Sequence, residues 1–167
     1  MTDSAYDNRK LAADLLERYG KNDIAGILDL CTENCTFVIG AGKSNGVVPY
    51  HGTHKGHNHI HSYLLKRRAA STRDWCDIPP PGQPSAPVKG AKPAPHKEPQ
   101  HERLIAHGNI VVAIGRLRDS FADGESMLET DFVIVFEVDE AKKKISSFKY
   151  FFDTEGAAKA WRKRDTK

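Results

Sequence analysis

Five histidines fall within eleven residues, at His51, His54, His57, His59 and His61. His57 and His61 stand one helical turn apart, a spacing that can chelate a metal ion. No His-Glu-x-x-His pattern follows and His57 falls at a helix start, so the expected role is a polar pocket rim, with no metal. Arg116 and Arg118 alternate along one strand; two guanidiniums at a cavity mouth can clamp a carboxylate or polarise an enolate oxygen. They can equally pair with Glu125, Glu129 or Asp131 across a hairpin. Phe132, Phe136, Phe148, Tyr150 and Phe152 alternate as a core or as a ligand wall, and the Tyr150 hydroxyl needs a partner if buried. Tyr19, on the core side of its helix, shares that ambiguity. Three cysteines, Cys31, Cys35 and Cys76, are an odd number and read as reduced thiols. Cys31 and Cys35 suit the role of small buried hydrophobes.

These side chains hang on a meander of three long strands, predicted over Ile110–Phe121, Met127–Val138 and Ile145–Phe152. Asp123-Gly124 supplies the first turn and the polar loop Asp139–Lys144 the second. Alternation sorts the strand residues onto two faces. Ile110, Val112, Ile114, Arg116 and Arg118 are assigned to one face with Phe132, Ile134, Phe136, Val138, Phe148, Tyr150 and Phe152. Val111, Ala113, Gly115, Leu117, Val133 and Val135 are assigned to the other. The bulky face calls for a cover of helices, and the smaller face is too apolar to leave in water.

Upstream, a helix capped by Asp7 or Asn8 runs to about Tyr19 and closes at Gly20. Asp23 caps a second, shorter helix with Ile24, Ile27, Leu28 and Cys31 inward. A strand follows at Cys35–Ile39, then a flexible loop at Gly40–Gly46 and an irregular stretch at Pro49–Lys55. A third helix spans about His57 to Ala70, burying Ile60, Tyr63 and Leu64. Asp77 to Pro99 is dense in proline, alanine, glycine and lysine and reads as a mobile loop or a lid. A strand is expected from about Gln100 to Ala106. After the meander, Asp153 caps a last helix whose Ala157 and Trp161 pack back. The class is α+β, one domain over 1–167, with helices segregated onto one face of a curved antiparallel sheet.

The chain of 167 residues carries 39% hydrophobic and 28% charged residues and a net charge of +3, which points to a globular domain and away from nucleic acid. The start lacks a charged residue followed by an apolar core, and no apolar run approaches spanning length, so a cytoplasmic location and no membrane partner are expected.

Four phrases in order resemble the NTF2-like superfamily, in particular its SnoaL-like, polyketide cyclase-type members. They are Lys21-Asn22-Asp23-Ile24 through Cys35-Thr36-Phe37, Gly56-x-x-x-Ile60-x-x-Tyr63-Leu64, His107-Gly108-Asn109-Ile110-Val111, and Lys144-Ile145 through Phe151-Phe152-Asp153. The resemblance implies a cone-shaped barrel open at one end, an apolar pocket between sheet and helices, and a homodimer formed through the sheet. Its members differ in chemistry, and fold alone does not choose among them. The ketosteroid isomerase positions fall near Leu15, Ile39 and Ile134, all apolar, which leaves neither base nor oxyanion donor. The arginine of limonene-type epoxide hydrolases matches Arg116, but its aspartate partner falls at Arg118. Asp119 would substitute only through a one-residue slip that turns it to the other face. Scytalone-type dehydratases place one histidine at His101. SnoaL-type cyclases chiefly need a shaped cavity and one acid/base group.

The resulting expectation is a cofactor-independent cyclase, isomerase or dehydratase acting on a small apolar polyketide- or terpenoid-like compound. His101, Tyr150, Arg116 and Asp153 are the candidate catalytic residues, with Asp153 also suited to capping the last helix. Tyr19, Phe37, Ile39, Ile114, Phe132, Ile134, Phe148 and Phe152 are the expected pocket lining. A non-catalytic ligand-binding or dimerisation module of the same fold is the alternative.

Overall fold

Leu11, Leu15 and Tyr19 recur along one face of the first helix and drive it onto a sheet. A computed structural model describes residues 3–40, 46–81, 92–93, 95 and 97–165. Helix α1 (Asp3–Lys21) buries Ala12, Leu15 and Tyr19. It runs through the predicted stop at Gly20, and the chain turns at Asn22 with φ of 56°. Asp23 then caps α2 (Ile24–Leu30), its side chain accepting from the Gly26 N–H at 3.0 Å. Strand β1 (Cys31–Ile39) begins four residues earlier than predicted, and β2 (Gly52–Lys55) occupies part of the stretch read as irregular. Helix α3 (His57–Ala70) buries Ile60, Tyr63, Leu64 and Arg67.

Strand β3 (Ser71–Asp77) follows α3 directly. The expected strand at Gln100–Ala106 is instead a 3-10 turn over Gln100–Arg103 and the short β4 (Ile105–His107). The meander stands as β5 (Ile110–Phe121), β6 (Met127–Asp139) and β7 (Lys144–Phe152), and α4 (Thr154–Asp165) closes the chain. Residues 41–45 of the expected flexible loop, and 82–91, 94 and 96 of the proline-rich segment, lie outside the described residues.

The sheet has seven strands in the order β2-β1-β7-β6-β5-β3, with β4 on β5. It is mixed rather than wholly antiparallel, because β1 lies parallel to β7. Its concave face packs on the helices through Phe37, Phe132, Ile134, Phe136 and Phe148, all buried. Cys31 and Cys35 are buried and Cys76 is exposed, each a free thiol.

One face assignment is corrected by the register. Gly115 pairs with Phe132, Leu117 with Thr130 and Asp119 with Leu128. Residues directly opposite across an antiparallel pair share a face, so the odd residues of β5 face the helices with the even residues of β6. Val111, Ala113, Leu117 and Phe121 are buried accordingly. Ile110, Val112, Ile114, Arg116 and Arg118 belong to the convex back, and Ile114 is 50% exposed.

At Gly115 the sheet leaves no room for a side chain. A Cβ there would stand 2.1 Å from the Asp77 carbonyl oxygen and 2.8 Å from Phe132 Cζ. Backbone cannot yield as a side chain can, so Gly115→Ala is expected to cost about 1–3 kcal/mol or more in urea unfolding. Amide exchange in β3 should rise in the same variant.

Candidate active site

Arginine is seldom turned inward unless something meets its charge. Arg73, on β3, is met by Asp119 on β5, directly opposite in register. Arg73 donates through Nε to Asp119 Oδ1 and through Nη2 to Asp119 Oδ2 at 3.3 Å, a two-pronged contact. Only 12% of the Arg73 side chain and 15% of Asp119 are exposed. The same Nη2 donates to Tyr150 Oη at 3.3 Å. An irregularity in β3 between Arg73 and Trp75 re-phases the strand just beyond the arginine.

This group borders a cavity between sheet and helices that encloses about 30 Å³ of free space, room for a water or two, so an organic guest must part the side chains at its mouth. Nearly every element contributes: Tyr19 from α1, Ile39 from β1, Tyr63 and Arg67 from α3, Thr130 from β6, Phe152 from β7 and Ala157 from α4. Tyr50 and His51 enter from the loop before β2. The lining is mixed, with hydroxyls, a carboxylate and guanidiniums set among hydrocarbon, and so more polar than the apolar wall the sequence suggests. The Tyr19 and Tyr63 hydroxyls share a hydrogen bond, and the Arg67 guanidinium lies 4.2 Å from the centre of the Tyr19 ring. Arg67 also donates to Asn22 Oδ1 at 3.0 Å.

Burial raises the Tyr150 hydroxyl well above the ordinary phenol value, against the opposing pull of Arg73. Burial likewise lifts Tyr63, and it pushes Tyr50 up to about 12. These phenols therefore stay protonated near neutrality and act as donors. Because Tyr150 accepts from Arg73, its own O–H is left to point at a ligand. Burial lowers His51 to about 4 from 6.5, with His54 adding a smaller push, so its imidazole is neutral.

The His51 shift has a consequence for stability. The unfolded chain takes up a proton at His51 near 6.5 whereas the folded chain resists until about 4. The stabilisation is whole above about 6.5 and is lost as pH falls from there toward 4. Urea unfolding at pH 7 and at about pH 5 should show a drop on the order of 1–2 kcal/mol from this group, much reduced in His51→Phe.

No family model matches the sequence, and no curated protein is significantly similar to it. Solved structures are similar across almost the whole chain. An NTF2-like protein from Burkholderia xenovorans superposes with a TM-score of 0.67 at 21% identity, covering 95% of this chain and 98% of that one. The fold is NTF2-like. Within the same NTF2-like likeness, TerC, co-crystallised with polyporic acid, superposes with a TM-score of 0.65 at 18% identity, covering 93% and 98%. SalBIII, an epoxide hydrolase/cyclase-like enzyme with a role in pyran ring formation in salinomycin, gives 0.59 at 16%, covering 89% and 92%.

Within this NTF2-like frame the expected site residues separate. Tyr19, Ile39, Tyr150 and Phe152 line the cavity. Phe37, Phe132, Ile134 and Phe148 are buried in the core beside it, with Phe37 stacked on Phe148 at 4.6 Å. Ile114 and Arg116 are corrected: both stand on the convex back, where Arg116 reaches Glu129 at 3.2 Å and Asp131 at 3.9 Å. Arg118 pairs there with Asp74 at 3.3 Å. Asp153 caps α4, accepting from the Gly156 N–H at 2.8 Å. His101 sits in the 3-10 turn against α1, outside the cavity lining. In the histidine cluster, His54 Nε2 meets the Tyr50 carbonyl at 3.1 Å and His57 Nε2 the Cys31 carbonyl at 3.3 Å. Among the described residues no three metal-ligating groups converge, and no helix is long and apolar enough to cross a membrane.

Arg73, Asp119 and Arg67 are absent from the expected lining, and His51 is expected only as one of five histidines on a polar rim. For Asp119 a signal was available: counting outward from Asp123-Gly124 as a two-residue turn puts Leu117 opposite Thr130 and Asp119 inward.

Proposed function

We propose that this chain is a SnoaL-like enzyme that moves a proton on an apolar, oxygen-bearing organic compound without a cofactor, as in cyclisation, isomerisation or dehydration. The buried Arg73–Asp119 pair with the Tyr150 hydroxyl beside it carries this reading. Asp119 is the base: Arg73 holds the carboxylate by two prongs and fixes its direction, and one lone-pair side is left for a proton on carbon next to a carbonyl. Tyr150 is the acid: with Arg73 donating to its oxygen, its O–H is polarised toward the oxyanion that forms as the proton leaves. The hydrocarbon part of the lining supplies binding and excludes water. The likeness to TerC and SalBIII supports a small, ring-bearing organic ligand. Epoxide opening is a second reading, favoured by the same arginine–aspartate pair; Asp119 would then hold a water and Tyr150 would protonate the epoxide oxygen.

The test is proton exchange on 2-tetralone, a bicyclic ketone, in deuterated buffer followed by NMR. The full chain should accelerate exchange next to the carbonyl, with Asp119→Asn losing about 10³-fold and Tyr150→Phe about 10²-fold. Binding of polyporic acid or 2-tetralone with no acceleration by the wild-type chain would turn the reading to the non-catalytic module.

The convex face supports a homodimer as a further part of this proposal. The register aligns Ile114, Val133 and Phe151 in one row and Ile105, Val112 and Val135 in the next. Ile105, Ile114 and Phe151 are 46%, 50% and 41% exposed, which is costly for a face left in water. Sedimentation should give a dimer for the wild type and a monomer for Ile114→Lys/Phe151→Lys; a monomeric wild type would refute it.

A further inference from the structure

His51 stands apart from the rest of its cluster. His54 and His57 each spend a nitrogen on a backbone carbonyl, at 3.1 and 3.3 Å, and so fasten the chain locally. His51 lines the cavity, and its buried Nδ1 finds no hydrogen-bond partner among the described residues. Its ring is gripped edge-to-face by Tyr50 at 5.3 Å and by Phe152 at 5.1 Å, so its direction is set before any ligand arrives. Gly40 makes the room: a Cβ at that residue would stand 3.3 Å from His51 Nδ1. A neutral imidazole carries one donor and one acceptor. A polar nitrogen taken out of water without a partner is a standing cost that a ligand group can remove.

The Phe152 ring separates His51 from the chemistry, lying 5.1 Å from His51 and 4.9 Å from Tyr150. Along this line two polar groups flank one aromatic ring. We propose that His51 is a positioning residue that holds a hydroxyl of the ligand, so that the ligand is an aromatic or polycyclic compound polar at both ends. A hydroxyl both gives and accepts a hydrogen bond, and so fits either imidazole tautomer. Once the side chains at the mouth part to admit it, the flat body of the ligand lies along Phe152 and its carbonyl end reaches Tyr150 and Asp119. This inference deepens the proton-transfer reading and rests on it.

Two probes of one shape separate the ends: 6-hydroxy-2-tetralone and 6-methyl-2-tetralone, titrated calorimetrically into the full chain. The wild type should bind the hydroxy compound about tenfold more tightly. His51→Phe should erase that preference, read as the ratio of the two affinities measured on the same variant. His51→Gln, which keeps a donor and an acceptor, should restore part of the preference, and the hydroxy compound alone should shift the ring nitrogens of His51 in the NMR spectrum. A preference that survives in His51→Phe, or ring nitrogens that do not respond, overturns the assignment even when exchange at the ketone is intact. If neither probe binds, the cavity reading fails and this inference fails with it. If both bind and exchange is absent, the proton-transfer reading alone fails.

Discussion

Asp119→Ala is expected to lower the unfolding free energy by about 3–5 kcal/mol, because it strands the buried Arg73 guanidinium without its counter-charge. The pair is shielded enough for this size of effect, with 12% and 15% of the two side chains exposed. Removing both charges should behave differently. Arg73→Met/Asp119→Leu fills the space with hydrocarbon and should recover most of the loss, since a buried ion pair is weak as a net stabiliser. Turnover in the 2-tetralone assay should stay absent in the double variant. Stability regained without activity regained would assign the pair to chemistry. A single-variant loss under about 1 kcal/mol in urea unfolding would show that Arg73 finds another partner or reaches water.

The second large effect falls on the aromatic centre behind the site. Phe148 is fully buried and contacts Phe37 at 4.6 Å, Phe136 at 5.4 Å, Tyr19 at 5.7 Å and Tyr150 at 6.0 Å between ring centres. Phe148→Ala should cost about 3–5 kcal/mol, as hydrocarbon burial is lost and four rings cannot close over the gap. Leu65→Ala, on the outer side of α3 where Leu65 is 38% exposed, should stay within about 0.5 kcal/mol as a control. Because Tyr19 and Tyr150 lean on Phe148, the same variant should also weaken ligand binding; an unchanged affinity would show that the two hydroxyls are positioned from elsewhere.

Much of this architecture can be read from residue order. Alternation and turn dipeptides locate β5, β6 and β7 to within a residue at each end, and Asp23 announces α2 through its side-chain oxygen. Strand β3 is harder to see. Ser-Thr-Arg-Asp-Trp-Cys-Asp has a single large apolar residue, and by hydropathy its inward-facing Arg73 looks like solvent-seeking loop. That inward turn makes sense only with Asp119 in place, and the two are 46 residues apart. Pairings across such a distance leave no local pattern. Arg116 and Arg118 mislead in the opposite sense, because a cation near a strand end looks poised for chemistry when its carboxylates are simply across the ladder. His51 had only its neighbours in the histidine run to mark it, and two of those, His54 and His57, hold backbone carbonyls instead.

Strand β3 lies at one border of the sheet, where only β5 holds it. Border strands can slide, and a slide of one step would bring Arg73 toward Arg118 or Ser120, the neighbours of its present partner along β5. The first meeting repels and the second leaves a cation unmatched. The two charges proposed to serve the chemistry therefore also act as a key for alignment, and a chain that mispairs β3 loses the geometry that the proposed reaction needs.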